Sequence, residues 1–230
     1  MSTNLGKSIF TNPEPVAADA VIIPRGIYNL LMGLCLFWGF AVNTFMCVFF
    51  GAQVTEWAMT GYNMGILAVG YLVVAIIGIT INTRSSVPIV SFIGYNLVVV
   101  PMGLILCPLL SYYDIASIQY AFGVTAFLTL VMMGLSYIFP QFFAKIGGAL
   151  LIALIACIIG EVVCIFLFPG VLGIWDWIIA GLFCLYIGYD WYRAQTIPAT
   201  VDNAIDAACA LYIDIINLFI RVLEIVGKKN

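Results

Sequence analysis

Seven long apolar runs follow one another along this chain of 230 residues, and nothing else in it is large enough to fold separately. They fall at residues 27–52, 61–83, 87–111, 117–139, 146–168, 174–193 and 203–226. About 20 apolar residues in a helix cross the roughly 30 Å hydrocarbon layer of a bilayer, so each run is a candidate span. Lipid offers the backbone no hydrogen-bond partner, and the alternating pattern of a membrane barrel is missing, so the runs read as helices. The connections are short, the longest lying around Gln195 to Asp202 with Pro198, which leaves no room for a soluble domain. The expected fold is an all-α membrane protein, a seven-helix transmembrane bundle. It divides into a cytoplasmic N-terminal tail (1–26), the transmembrane domain (27–226) and a short C-terminal tail (227–230).

Charge is scarce, at 8% of residues against 64% hydrophobic, and its placement orients the bundle. Lys7 and Arg25 precede the first run, and Arg84, Lys145 and Arg193 occupy the second, fourth and sixth connections. Glu56 and Asp114 occupy the first and third, and Asp176 borders the fifth. Basic residues collect on the cytoplasmic side, so the N-terminus is expected inside. Seven crossings place the C-terminus outside, whereas Lys228 and Lys229 belong inside by the same rule. Either the tail is an exception or the last segment re-enters, and its length favours a full crossing. Residues 1–24, with Pro13, Glu14, Pro15, Asp19 and Pro24, lack the pattern of a cleavable signal peptide and read as an unstructured tail. A bacterial inner membrane fits this organisation.

The net charge of −3 argues against nucleic-acid binding. The seven cysteines, Cys35, Cys47, Cys107, Cys157, Cys164, Cys184 and Cys209, lie in apolar runs without a CxxC pair and read as small core residues. Trp57, Trp175, Trp177 and Trp191 stand at predicted helix ends as an interfacial belt. Gly61 with Gly65, Ala149 with Ala153, and Ala156 with Gly160 have the spacing of close helix contacts. With no histidine, any proton sensing near neutral pH falls to carboxyl groups.

Two aspartates stand out, Asp190 and Asp214, inside the last two apolar runs. A carboxylate near mid-bilayer costs about 2.5–3.5 kcal/mol on insertion scales, so such residues pair, face the bundle interior and mark ion or proton paths. At about 100° per residue, Ala207, Ala210, Asp214, Asn217 and Arg221 form one small, polar stripe on the last helix, which suits a helix enclosed by others. Two unit charges about 4 Å apart repel by about 4 kcal/mol at an effective dielectric near 20, enough for such a pair to share one proton and titrate together. Ionised carboxylate oxygens also suit calcium, making Asp190 and Asp214 its candidate contacts. A local pair of Asp190 with Arg193 is the simpler alternative. For Asp214 the nearest cation on its own helix is Arg221, two turns away. Glu161, deep in the fifth run, and Asp206, early in the seventh, are placed to extend a cation path, with a protonated, hydrogen-bonded Glu161 as the alternative.

Three segments carry a family likeness: LFCLYIGYDWYR (182–193), ALYIDIINLFIRVLEIVG (210–227) and GGALLIALIACIIGEVVCIFLF (147–168). Together they resemble the Bax inhibitor family, also called the transmembrane Bax inhibitor motif family, in its bacterial branch. The likeness is close over the C-terminal third and architectural elsewhere. It implies a seven-helix fold with the last helix central and wrapped by the other six, and a pH-dependent calcium leak with no cofactor. The paired aspartates that act there as proton sensor and gate map onto Asp190 and Asp214. An arginine at the end of the second helix is implied as a latch on the pair, and Arg84 holds that position.

Two other classes remain open. Intramembrane aspartyl proteases also place YD in one helix and a second aspartate in the next, with two carboxyls activating water. Here, though, Leu211, Tyr212 and Ile213 precede Asp214 where those enzymes carry GxGD, and no PAL segment follows, so the chain is expected not to be an enzyme. A Ser/His dyad and an HExxH zinc site need histidine, and a retinal protein needs a lysine inside the last helix. The third class is a non-transporting modulator of another membrane protein, such as a quality-control protease, held through the N-terminal tail.

Overall fold

The computed structural model describes residues 21–167 and 172–228. The expected tail lies mostly outside the described residues, and so does Lys229. Seven helices run through the described chain: α1 (Arg25–Ala58), α2 (Asn63–Arg84), α3 (Pro88–Ser111), α4 (Ile115–Ile138), α5 (Pro140–Leu167), α6 (Leu172–Thr196) and α7 (Val201–Val226). No strand occurs among the described residues. The helices α1 to α4 and the Pro140–Cys164 stretch of α5 are long and apolar enough to cross a membrane. The protein is a helical, multi-pass membrane bundle.

The largest departures from the apolar windows are at α1 and α5. Helix α1 continues past residue 52 through Gln53, Glu56 and Trp57 until Ala58. Polar groups end a hydrophobic run but not a helix, and the chain turns at Gly61, whose φ of 57° is the left-handed conformation glycine tolerates best. Helix α5 starts at Pro140 rather than residue 146. The first helical position suits proline, because its missing N–H has no intrahelical partner there anyway.

Helix α7 is the axis of the bundle, as the resemblance implied. From Asp202 to Ile225 none of its residues is exposed. It packs against α6, α1, α4, α3 and α2, and Arg221 reaches Glu161 of α5. By contrast α2 buries only Ala75, Gly78 and Asn82, and shows apolar side chains such as Ile66, Val69 and Leu72 outward, as a lipid-facing helix does.

Both ends of α7 are fastened. At its start Thr200 caps the helix, its hydroxyl accepting from the Asn203 N–H at 3.1 Å, and the Asp202 carboxylate accepts from the Ser91 hydroxyl at 2.6 Å. Ile23 N–H donates to Ala199 O beside it, and the Arg25 guanidinium donates to Ala194 O and Ile197 O, capping the end of α6. Beyond its other end Lys228 N–H donates to the Ser117 hydroxyl at 2.9 Å, and Asp114 N–H donates to Lys228 O. The helix therefore traverses the bundle from the arginine-bearing end, here called the inner end, to the end holding Asp114, the outer end.

Close packing differs from expectation at several small residues. A Cβ at Gly61 or Gly65 would meet nothing within 4 Å, so that pair is not a helix contact. The tight crossing joins α2 to α3, where a Cβ on Gly78 would lie 2.7 Å from Gly94 O and one on Gly94 2.6 Å from the Asn82 nitrogen. Gly160 abuts the Trp175 ring, whose Nε1 donates to Cys157 O at 3.2 Å, so Trp175 packs α6 onto α5 instead of joining the interfacial belt. Trp57 and Trp177 are exposed, as belt residues are.

Candidate functional site

Asp190 lies near the end of α6 and Asp214 midway along α7. Residues 197–200 do not continue either helix, and Thr200 is extended, so the chain travels outward before α7 begins and Asp214 comes level with Asp190. Gly188 and Gly147 set the α5–α6 contact beside the pair, receiving the Phe143 ring and the Tyr189 ring respectively. Larger residues there would push α6 away from α5 and displace Asp190.

The two carboxyl groups lie within hydrogen-bonding reach of each other. An ionised carboxylate is acceptor only, so this contact requires a proton on one of them. Asp214 is 5% exposed, and its Oδ2 finds no hydrogen-bond partner among the described residues. Asp190 is partly exposed. Tyr186, one turn earlier on α6, lies within electrostatic reach of both, and Arg193 within reach of Asp190. No ion pair joins Asp190 to Arg193 among the described residues, so the simple local pair is not what the fold builds.

The remaining candidates lie apart. Glu161 takes an ion pair from Arg221 Nη2 at 2.6 Å. Arg221 Nη1 also contacts Asp176 Oδ1 at 2.9 Å and Glu224 Oε2 at 3.0 Å. This cluster of three carboxylates about one guanidinium ties α5, α6 and α7 together at the outer end, two turns (about 10 Å) along α7 from Asp214. Asp206 lies two turns to the other side, within electrostatic reach of Tyr28 and Cys209. Arg84 is exposed at the end of α2, and no hydrogen bond or ion pair to it occurs among the described residues.

Asp176 and Glu224 were not expected as partners of Arg221, nor Ser91 as partner of Asp202. The signal for the first was present: a cation inside an apolar helix needs acids at its own depth, and counting turns from the outer connections selects these three. Among the described residues no group of three or more acidic or cysteine side chains is placed to hold a metal ion.

The profile of the family described as "Inhibitor of apoptosis-promoting Bax1" matches residues 20–230. Two proteins of Helicobacter pylori, from strains ATCC 700392 / 26695 and J99 / ATCC 700824, are each 38% identical over 88 residues. The matched stretch spans 36% of this chain and 36% of each relative. With seven helices, the last of them enclosed by the others, and with the family profile covering nearly the whole chain, the protein belongs to the Bax inhibitor (transmembrane Bax inhibitor motif) family.

Proposed function

We propose that this protein is a pH-gated calcium leak of the bacterial inner membrane, with the Asp190–Asp214 pair as sensor and gate. The observation that carries the reading is the approach of the two carboxyl groups across the α6–α7 contact, with Asp214 enclosed. One shared proton ties the two helices together near the inner end. Loss of that proton leaves two negative charges whose repulsion, about 4 kcal/mol at about 4 Å, drives the helices apart. Gain of a second proton removes the charged acceptor and weakens the tie. Either step changes access to the interior from the inner end, where Arg25, Arg84 and Arg193 gather. Asp206, facing inward on α7, extends the acidic line for a cation entering or leaving, and Arg84 is the residue placed to meet the carboxylates if α2 closes on α7.

The test is calcium entry into liposomes followed against pH for wild type, Asp190→Asn and Asp214→Asn. An asparagine amide can donate to the remaining carboxylate and does not titrate, so each variant should flatten the pH response. Unchanged pH dependence in both would defeat the mechanism. The same preparation separates the protease reading, which shares the carboxyl contact: cleavage of a model transmembrane peptide, abolished by both substitutions, would replace the leak.

A further inference from the structure

Helices α4, α6 and α7 pack mutually, each against the other two, and α6 and α7 carry the Asp190–Asp214 pair. The buried face of α4 consists of Ala121, Thr125, Thr129, Met132 and Ser136, spaced by three and four residues on one stripe. Hydroxyls on helices normally donate to the carbonyl four residues back. Thr125 does so at 2.8 Å, and so do Thr44, Thr80 and Thr83 on other helices. Thr129 and Ser136 do not. They are 7% and 2% exposed, and neither Thr129 Oγ1 nor Ser136 Oγ has a hydrogen-bond partner among the described residues. Asp214 Oδ2 is in the same condition on the facing helix.

Leaving one buried hydroxyl unpaired costs about 1–3 kcal/mol, and a carboxyl oxygen no less. Three such oxygens on mutually packed helices, two of them declining the carbonyl that their neighbours use, point to partners that are not protein. Ser136 stands within one turn of the inner end of α4, and Thr129 two turns (about 10 Å) deeper. The stripe therefore descends from the inner surface toward the carboxyl pair. The charged or titratable groups facing the pair from α6 are Tyr186 and Arg193, while the buried stripe of α4 contributes only these hydroxyls.

We propose that Thr129, Ser136 and Asp214 Oδ2 line a hydrated seam between α4, α6 and α7, in which water gives the carboxyl pair access to the inner solution. A buried water is stable when it makes two to four hydrogen bonds, and these oxygens together with helix carbonyls supply acceptors and donors for them. The seam's role as a proton route rests on the gate reading above; its hydration does not.

The experiment is labelling of the full-length protein in proteoliposomes by a charged, water-soluble methanethiosulfonate, counted by mass over the background of the native cysteines. Thr129→Cys and Ser136→Cys are compared with Phe127→Cys, which lies on the exposed, lipid-facing side of α4. Modification at both 129 and 136 at least about tenfold faster than at 127 is the expected result, since only a solvated thiol ionises and reacts. Rates at 129 no faster than at 127 overturn the seam, including the case in which 136 alone reacts, which would confine water to the mouth. Should a cysteine variant fail to fold, Thr129→Val serves: a lowered melting temperature supports a hydroxyl held by water, and an unchanged or raised one overturns it. Labelling without any pH-dependent calcium flux would refute the gate and leave the seam standing. Flux abolished by Asp214→Asn without labelling would do the reverse.

Discussion

Arg221→Gln is the substitution whose consequence can be worked most fully. The guanidinium makes three charge-assisted contacts, at 2.6, 2.9 and 3.0 Å, to Glu161, Asp176 and Glu224. The four side chains are between 17% and 29% exposed, so the cluster is screened but not freely solvated. A charged hydrogen bond contributes about 1.5–3 kcal/mol when buried, and partial exposure reduces each to about 1 kcal/mol. Removing the cation therefore costs about 3 kcal/mol through lost contacts, and it leaves three carboxylates together with none to offset them. For a chain of this size about 3 kcal/mol corresponds to a fall of about 6–12 °C in melting temperature. Arg221→Lys keeps the charge but loses the planar fork that serves three partners at once, so it should lie between the two. Adding Glu161→Gln and Asp176→Asn to Arg221→Gln should recover part of the loss, because a cluster neutralised as a whole leaves no uncompensated charge. Thermal melting of the detergent-solubilised variants decides the matter. A shift within about 2 °C for Arg221→Gln, or equal shifts for the glutamine and lysine variants, would show that the three contacts do not hold the outer end.

Three further outcomes are expected. Gly94→Ala places a Cβ 2.6 Å from the Asn82 nitrogen and 2.7 Å from Gly78 O; both are backbone atoms of a neighbouring helix, so the crossing must open at about 2 kcal/mol, read as a lower melting temperature, and no loss would contradict it. Ser91→Ala deprives the Asp202 carboxylate of the hydroxyl that donates at 2.6 Å; it should destabilise the start of α7 by about 1 kcal/mol, seen as faster amide exchange over the first turns than in wild type. The Ser117 side chain and backbone N–H, accepted at the α4 N-cap, hold the Asp114 carboxyl below its ordinary value. A group depressed in the folded state stabilises above its unfolded value, near pH 4, and loses that contribution as pH falls through the folded one. Between neutral pH and about pH 3 the wild type should thus lose more stability than Asp114→Asn, in melts run side by side.

How much of this could be read from the residues depends on which term in the energy is local. The spans were legible because the cost of unpaired backbone in lipid leaves a continuous apolar run one outcome, and the discrepancies at Gln53–Trp57 and Pro140 arise where helix and hydrocarbon end at different places. The enclosure of α7 was legible in its stripe through Ala207, Asp214 and Arg221, and the carboxyl pair in the rarity of intramembrane acids. Gly61 and Gly65 misled because small-residue spacing shows that a backbone can be approached, not that anything approaches it; Gly78 and Gly94 lie on two helices, and their meeting depends on a crossing that neither run encodes alone. The same holds for the polar groups. Four on α7 are answered from other helices: Asp202 by Ser91 of α3, Tyr212 by Asn43 of α1, Asp214 by Asp190 of α6, and Arg221 by Glu161 of α5 together with Asp176 of α6. In lipid the hydrophobic effect hardly distinguishes one helix packing from another, so these few polar meetings carry much of the information that fixes each helix's rotation and depth against the axis. A single sequence displays both halves of every meeting but not which halves match, and only turn counting from a common membrane surface narrows the choice.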